Sequence, residues 1–260
     1  MTRPLHVTAI AVAAALATAL GATACGGSTQ QQSAPAEPAV VTNPVDPATA
    51  GSVTGRIAFE GTPPAPTPIK MGSDPYCEKQ GAAVTETVVV AGDGGLKNVF
   101  VYVKDGLGNL RFPVPATPVV LDQKACRYVP HVFGVQVGQP VEIVNSDPTL
   151  HNIHALAQTN REFNMGQPSP GKDTHTFSTK EVMVPFKCDV HRWMNAYAGV
   201  LDHPFYSVTS DEGRFELKGL PPGTYTIEAW HETLGAQTQT VTIGEKETKD
   251  LAFSFKSKTT

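Results

Sequence analysis

Apolar residues in this chain come in short runs, and where they alternate with polar ones they do so at every second position. In residues 53–59, Val53, Ile57 and Phe59 fall on one face while Thr54 and Arg56 fall on the other, the period of a half-buried strand. Similar segments recur at residues 87–91, 98–104, 140–145, 174–178, 181–188, 197–202, 213–218, 223–231, 238–243 and 251–255, separated by Gly, Pro, Asn and Asp. Short strands punctuated in this way predict an all-β protein made of sandwiches or barrels. No stretch after residue 25 carries a helical period, and no repeat of fixed length is visible.

Composition sharpens this picture. With 23 Gly and 22 Pro among 260 residues, long amphipathic helices have little room. Charged residues make up 17% of the chain, below the roughly 25% usual in soluble domains. The formal net charge is a mild -4, with no cluster of Lys or Arg able to neutralise a run of phosphates. That electrostatic contribution supplies most non-specific nucleic-acid affinity, so nucleic acid is excluded as a partner class.

The amino terminus bears on the compartment. Arg3 precedes an alanine-rich apolar segment from Val7 to Leu20, followed by Gly21, Ala22, Thr23, Ala24 and Cys25, the three-part shape of a secretory signal. It is shorter and less apolar than the ~20 residues a bilayer-spanning helix needs. Small residues ending at a cysteine resemble the lipobox of bacterial lipoproteins. That resemblance implies removal of residues 1–24, a lipid on Cys25, and an exported, membrane-anchored protein facing the periplasm or the cell surface. Ala22 stands where leucine is commonest, and a plain secretory signal cut near Ala24 is the alternative. Residues 25–50 lack aromatics and are rich in Pro, Ala, Ser and Gln, the composition of a disordered tether. Such a tether would reach roughly 75 Å if extended and about 30 Å as a flexible coil.

The sharpest chemistry lies between Cys126 and Asp202. His151 follows a turn at Asp147 and Pro148, and Cys188, His191 and Met194 stand three residues apart. Two imidazoles, a thiolate and a weak axial thioether suit an ion that moves between Cu(I) and Cu(II) with little rearrangement. Val182, Val184, Phe186 and Cys188 alternate onto one strand face, so the thiol points inward from the end of a buried strand. A tight loop then returns His191 and Met194 to the same point, and His151 comes from a neighbouring strand.

These residues also carry a family likeness. Residues 128–130 and 135–145, then His151 and Asn152, then residues 186–188 and Met194, resemble the plastocyanin, pseudoazurin and amicyanin branch of the cupredoxins. The resemblance spans about 85 residues and implies a Greek-key β-sandwich holding one type 1 copper per chain. It implies ligation by His151, Cys188, His191 and Met194, with Asn152 tying the ligand loops together. It also implies that the loop histidine reaches the surface, which makes Trp193 a candidate docking patch; packing between two domains is its alternative role. The family usually has Pro before the second histidine, where this chain has Val190. Strand alternation sets His154 on the face opposite His151, as a supporting or surface residue and the rival ligand. Met165 and Met183 read as packing residues, and His131, His175, His203 and His231 as structural.

Of the 4 cysteines, lipid takes Cys25 and metal takes Cys188, which leaves Cys77 and Cys126 as a disulfide pair or as two free thiols.

The flanks of the copper segment resemble a second family. Residues 51–61, 96–105, 207–217 and 220–227 look like the strands of carboxypeptidase regulatory-like domains, which have a carbohydrate-binding-like fold. The reading is a discontinuous, smaller β-sandwich, residues 51–112 and 204–256, interrupted by a cupredoxin domain over residues 113–203. A tandem arrangement, with residues 51–112 elaborating the copper domain, is the rival. Carbohydrate binding is possible on this fold but no residue supports it; Trp230 would either stack on a sugar or pack in a core.

The function that follows is single-electron transfer with redox partner proteins, not an enzyme's substrate chemistry. Cys188 sits between Lys187 and Asp189 rather than between the histidines that wire a multicopper oxidase, and the loop has no second cysteine for a binuclear centre. Copper delivery and carbohydrate binding are the alternatives.

Overall fold

A computed structural model describes residues 43–257. The leader, Cys25 and the first part of the tether lie outside the described residues.

In chain order the first strands are β1 (Gly51–Glu60), β2 (Pro68–Ile69), β3 (Ala83–Val84), β4 (Phe100–Asp105), β5 (Val119–Lys124) and β6 (Arg127–Val129). Next come β7 (Val132–Gln136), β8 (Pro140–Asn145), β9 (His151–Ala155), β10 (Phe163–Gln167), β11 (Gly171–Thr176) and β12 (Glu181–Lys187). The last are β13 (Asn195–Leu201), β14 (Tyr206–Val208), β15 (Arg214–Leu220), β16 (Gly223–His231), β17 (Gly235–Ile243) and β18 (Thr248–Lys256). One helical turn, α1 (Pro75–Glu78), lies between β2 and β3.

The protein is all-β, and its strands form two sandwiches. In the first, the sheet β15-β1-β18 faces the sheet β14-β4-β16-β17 across a core that includes Val53, Ile57, Phe215, Leu217, Ile227 and Phe253. Here β1 shows the predicted alternation along its length, with Val53, Ile57 and Phe59 all buried. Strands from the two ends of the chain meet in this sandwich, since β1 runs parallel to β18 and antiparallel to β15. The second sandwich sets β10-β9-β12-β13-β7 against β11-β8-β5-β6, around Leu121, Ile143, Ile153, Phe177, Phe186 and Val200.

The sandwiches meet at a third apolar cluster containing Phe100, Tyr102, Val132, Met183 and Leu201, with Tyr197, Tyr206 and Trp230 packed on it. Two glycines, paired across β7 and β13, make the floor of this contact: Gly134 lies under the Tyr206 ring and Gly199 under Phe100. A methyl group on Gly199 would come within 2.2 Å of the Phe100 ring, which has 0% exposure and nowhere to go. Gly199→Ala is therefore expected to destabilise the protein by about 1–3 kcal/mol through overpacking. A denaturant titration reads this, and an unchanged midpoint would mean that the two sandwiches can part freely.

A buried ion pair reinforces the same contact. His131 Nε2 meets Glu232 Oε1 at 2.6 Å, and His131 Nδ1 donates to the backbone carbonyl of Asn195 at 3.1 Å. Burial opposes a charge on His131, but Glu232 outweighs it and raises the imidazole above its ordinary value. Trp230 packs against Tyr197 here, with ring centroids 5.2 Å apart, so core packing rather than an open aromatic face is its arrangement.

The structure departs from the sequence reading in several places. Residues 87–91 form no strand; the turn at Gly92 and Asp93 closes so tightly that only a bridge from Val90 to Leu96 forms. Strand β4 starts at Phe100 because Asn98 takes a positive φ of 61°. Strand β7 escaped notice because both its faces are buried, which erases alternation. In β12 a bulge at Met183, with φ of 64°, turns Val182 and Met183 toward the contact between sandwiches, so the inward face is Val184, Phe186 and Cys188 only. The end of the expected tether is also structured. Asp46 closes a turn on Ala48 and Thr49, the Thr49 carbonyl accepts from Lys246 N–H at 3.0 Å, and Val45 packs on the first core.

One reassignment bears on function. Residues 69–83, expected with the first sandwich, pack on the second: Met71 and Cys77 are buried in its core, with Ile69, Tyr76 and Ala83 against them. The physical reason is covalent, for Cys77 forms a disulfide with Cys126 in the turn between β5 and β6.

Candidate metal centre

Three strand ends converge at one edge of the second sandwich. β9 and β12 run antiparallel, pairing Lys187 with His154, and β12 returns through the loop 188–194 into β13. His151 opens β9, Cys188 follows β12, and Met194 immediately precedes β13. The loop is tied to itself: His191 N–H donates to Cys188 Sγ at 3.3 Å, Met194 N–H to the His191 carbonyl at 2.9 Å, and Cys188 N–H to the Met194 carbonyl at 3.1 Å. Val190 is exposed at its outer turn. Asn152 joins the loop to β9, its Oδ1 accepting from Asp189 N–H.

Ligand atoms of His151, Cys188 and His191 all lie within 4.8 Å of one another. His151 Nδ1 and His191 Nδ1 are 2.9 Å apart, and Cys188 Sγ is 4.0 Å from His191 Nδ1. Exposure is 0% for His151 and 1% for Cys188, His191 and Met194. Among the described residues Cys188 is the free cysteine, and Met194 shares its core.

What the sequence reading missed is a pair of carboxylates behind the imidazoles. Asp147 Oδ2 accepts from His151 Nε2 at 2.9 Å, and Asp74 Oδ2 accepts from His191 Nε2 at 3.2 Å. Asp147 is buried and also accepts from Cys126 N–H, Ala125 N–H and the Tyr76 hydroxyl. Burial raises its pKa, but the Cys126 N–H, His151 and the other donors outweigh this and hold the carboxyl below its ordinary value. For Asp74, burial likewise acts upward, and Thr149, the N–H groups of Cys77 and Tyr76, and His191 bring it down to about 2. Both carboxylates are thus charged acceptors at neutral pH.

This sets the protons. A neutral imidazole carries one proton, and which nitrogen bears it follows from the hydrogen bond the other makes. An Nε2–H given to each carboxylate would leave both Nδ1 atoms, which lie 2.9 Å apart, free to bind a cation. Burial, with the nearby His151, pushes the pKa of His191 down, so it stays neutral. The two Nδ1 atoms and the buried thiol lie close enough together to form a socket for one cation, and imidazoles with a thiol, beside the Met194 thioether in the same core, fit copper.

His154 lies outside this socket. It contacts Asp189 Oδ2 at 2.9 Å and Glu162 Oε1 at 2.6 Å on the other face of β9. Met165 packs on the second core and Met183 lies in the third cluster. Of the remaining histidines, His203 donates to the Val103 carbonyl at 2.9 Å, His231 accepts turn N–H groups and His175 stacks on Phe163 at 3.9 Å. The expectation that the loop histidine reaches the surface is overturned, because α1 and its disulfide cover it: Cys77 Sγ lies 3.7 Å from His191 Nε2. Trp193 packs on the same cover, with Nε1 donating to the Cys126 carbonyl at 2.9 Å and its ring 5.0 Å from His191. Its outer side lines a cavity of about 260 Å³ with Arg127, Arg192 and Glu86.

An acid four residues before His151 is a signal that could have found Asp147. Asp74 lies 117 residues from His191, and nothing in the sequence joins them.

Comparisons with known proteins bear on parts of the chain. The profile of the family described as polysaccharide lyase family 4, domain II, matches residues 177–251, which take in β12 to β17. The family that matches is therefore not the carboxypeptidase regulatory-like one. No curated protein matches the sequence. Among solved structures, a Cu(I) amicyanin variant is similar at 20% identity and TM-score 0.30, over 34% of this chain and 85% of that one. A purple cupredoxin from Nitrosopumilus maritimus is similar at 20% identity and TM-score 0.28, over 32% of this chain and 98% of that one. The copper-containing nitrite reductase of Thermus scotoductus is similar at 19% identity and TM-score 0.32, over 36% of this chain. The present chain covers only 24% of that reductase.

Proposed function

We propose that this chain is an envelope-tethered copper protein that relays single electrons, with one copper held by His151, Cys188, His191 and Met194. The observation that carries the reading is the convergence of the His151 and His191 Nδ1 atoms, 2.9 Å apart, beside a buried thiol. Copper supplies the one-electron couple, and the protein's part is to hold its donors still. The self-bonded loop 188–194, Asn152 and the two carboxylates fix the positions of the donors, which keeps rearrangement between oxidation states small. Burial of all four side chains keeps water and substrates away, which favours a carrier over an enzyme acting on a bound molecule. The same enclosure favours retention of copper over delivery.

With His191 covered, Trp193 is the aromatic group that links the site to the surface, beside the two guanidinium groups of Arg127 and Arg192. This supports the Trp193 face as the docking patch for redox partner proteins. A lipid on Cys25 would hold the protein at a membrane. In this reading residues 113–203 form a cupredoxin domain inserted into a sandwich of residues 51–112 and 204–256, with the disulfide carrying part of the outer segment back onto the copper domain.

Copper titration of the purified protein is the test. One copper per chain, an intense visible band in the oxidised form and reversible one-electron voltammetry are expected. Met194→Leu should keep copper and colour but shift the potential, since a weak axial ligand tunes the couple more than it binds the ion. A colourless copper-bound protein would refute the ligand set, and rapid loss of copper to an acceptor with slow redox cycling would favour delivery.

A further inference from the structure

Asp74 divides its two oxygens between two tasks. Oδ1 caps α1, accepting from Tyr76 N–H at 2.7 Å and Cys77 N–H at 3.1 Å. Oδ2 accepts from Thr149 Oγ1 at 2.7 Å and from His191 Nε2 at 3.2 Å. The cap alone needs one oxygen, and it fixes the direction of the other. Because α1 is stapled to the second sandwich through Cys77 and Cys126, the free oxygen is delivered to the outer edge of His191 from a segment distant in sequence.

We propose that Asp74 is a positioning residue that locks His191 with its proton on Nε2 and its bare Nδ1 turned into the socket. This inference rests on the copper reading for its purpose, while the proton's position can be measured without copper. The chemistry is one-directional. A carboxylate oxygen can only accept, so it selects the Nε2–H tautomer and leaves Nδ1 free to bind. Asp147 does the same for His151, and the two anchors together create the facing pair of lone pairs. Asp74 is the more informative of the two because its other bonds reach only the α1 cap and Thr149, whereas Asp147 also braces the turn at Ala125 and Cys126.

Asp74→Asn separates the two tasks. Asparagine caps helices about as well as aspartate, so Oδ1 can still hold α1. Its Nδ2, in the place of Oδ2, can only donate, and it rewards the opposite tautomer, in which the His191 proton points into the socket. Nitrogen-15 NMR of the metal-free protein should find His191 protonated at Nε2 in the wild type, and displaced toward Nδ1 protonation in Asp74→Asn. Copper affinity, measured against a competing chelator, should fall by about 10–100-fold, the range for loss of a ligand's outer partner. Melting of the metal-free variant should match the wild type. A wild-type His191 protonated at Nδ1 would overturn the proposal without any variant, and so would an Asp74→Asn protein with unchanged tautomer and affinity. If copper gives no coloured centre at all, the electron-transfer reading fails, and the tautomer measurement still decides the role of Asp74.

Discussion

Cys188→Ser is expected to yield a protein that folds, has lost its visible colour and holds copper weakly. The thiolate is the soft ligand of the set and the source of intense absorption, and a serine hydroxyl at neutral pH offers only a protonated, hard oxygen. The fold should survive, because serine is close in size to cysteine and its oxygen can still accept the His191 N–H that now meets Sγ at 3.3 Å. Burying a hydroxyl in the place of a thiol at a site of 1% exposure costs about 1–3 kcal/mol, within the margin of a typical domain. Absorption and electron paramagnetic resonance spectra of the copper-loaded variant, with a melt of the metal-free one, read these effects. His154→Ala is the control and should keep the colour, since His154 is engaged with Asp189 and Glu162 on the far face of β9. A coloured Cys188→Ser protein, or a colourless His154→Ala protein, would require a different ligand set.

Removing the disulfide is expected to have the largest effect on stability. Cys77 and Cys126 are 49 residues apart, and in the chain-entropy description a loop of that size stabilises the folded state by about 4 kcal/mol. That is a large share of the 5–15 kcal/mol by which domains are usually stable. The double variant Cys77→Ser, Cys126→Ser should therefore show a clearly lower denaturant midpoint than the wild type, and wild type treated with reductant while unfolded should match it. The damage should also reach the metal centre, because the disulfide holds α1 and Asp74 over His191 and its Sγ touches that ring's outer edge. A change below about 1 kcal/mol would mean that the loop is held by packing alone. Thiol counting in the unfolded wild type whose Cys25 carries the lipid should find one reactive cysteine, Cys188.

By itself the sequence was enough for the all-β class, for most strands and for naming His151, Cys188 and His191, whose ligand atoms the fold gathers within 4.8 Å. Both legible signals are local. A half-buried strand writes its pattern in steps of two, as in β1, and the donors Cys188, His191 and Met194 fall within one short loop. Strands buried on both faces, such as β7, leave no such trace, and a bulge like that at Met183 resets the pattern partway along a strand. Tertiary structure alone decided what stands behind the imidazoles. Asp74 reaches His191 only because a disulfide folds residues 69–83 onto a sandwich other than the one their neighbours build, and a hydrogen bond across 117 residues has no local signature. It also decided that the loop histidine is covered and that Trp193 is half-buried against that cover, since exposure depends on which distant segment arrives above a residue. Local periodicity can thus say which side chains point inward, but the partners they meet there are set by chain closure over distances that periodicity does not encode.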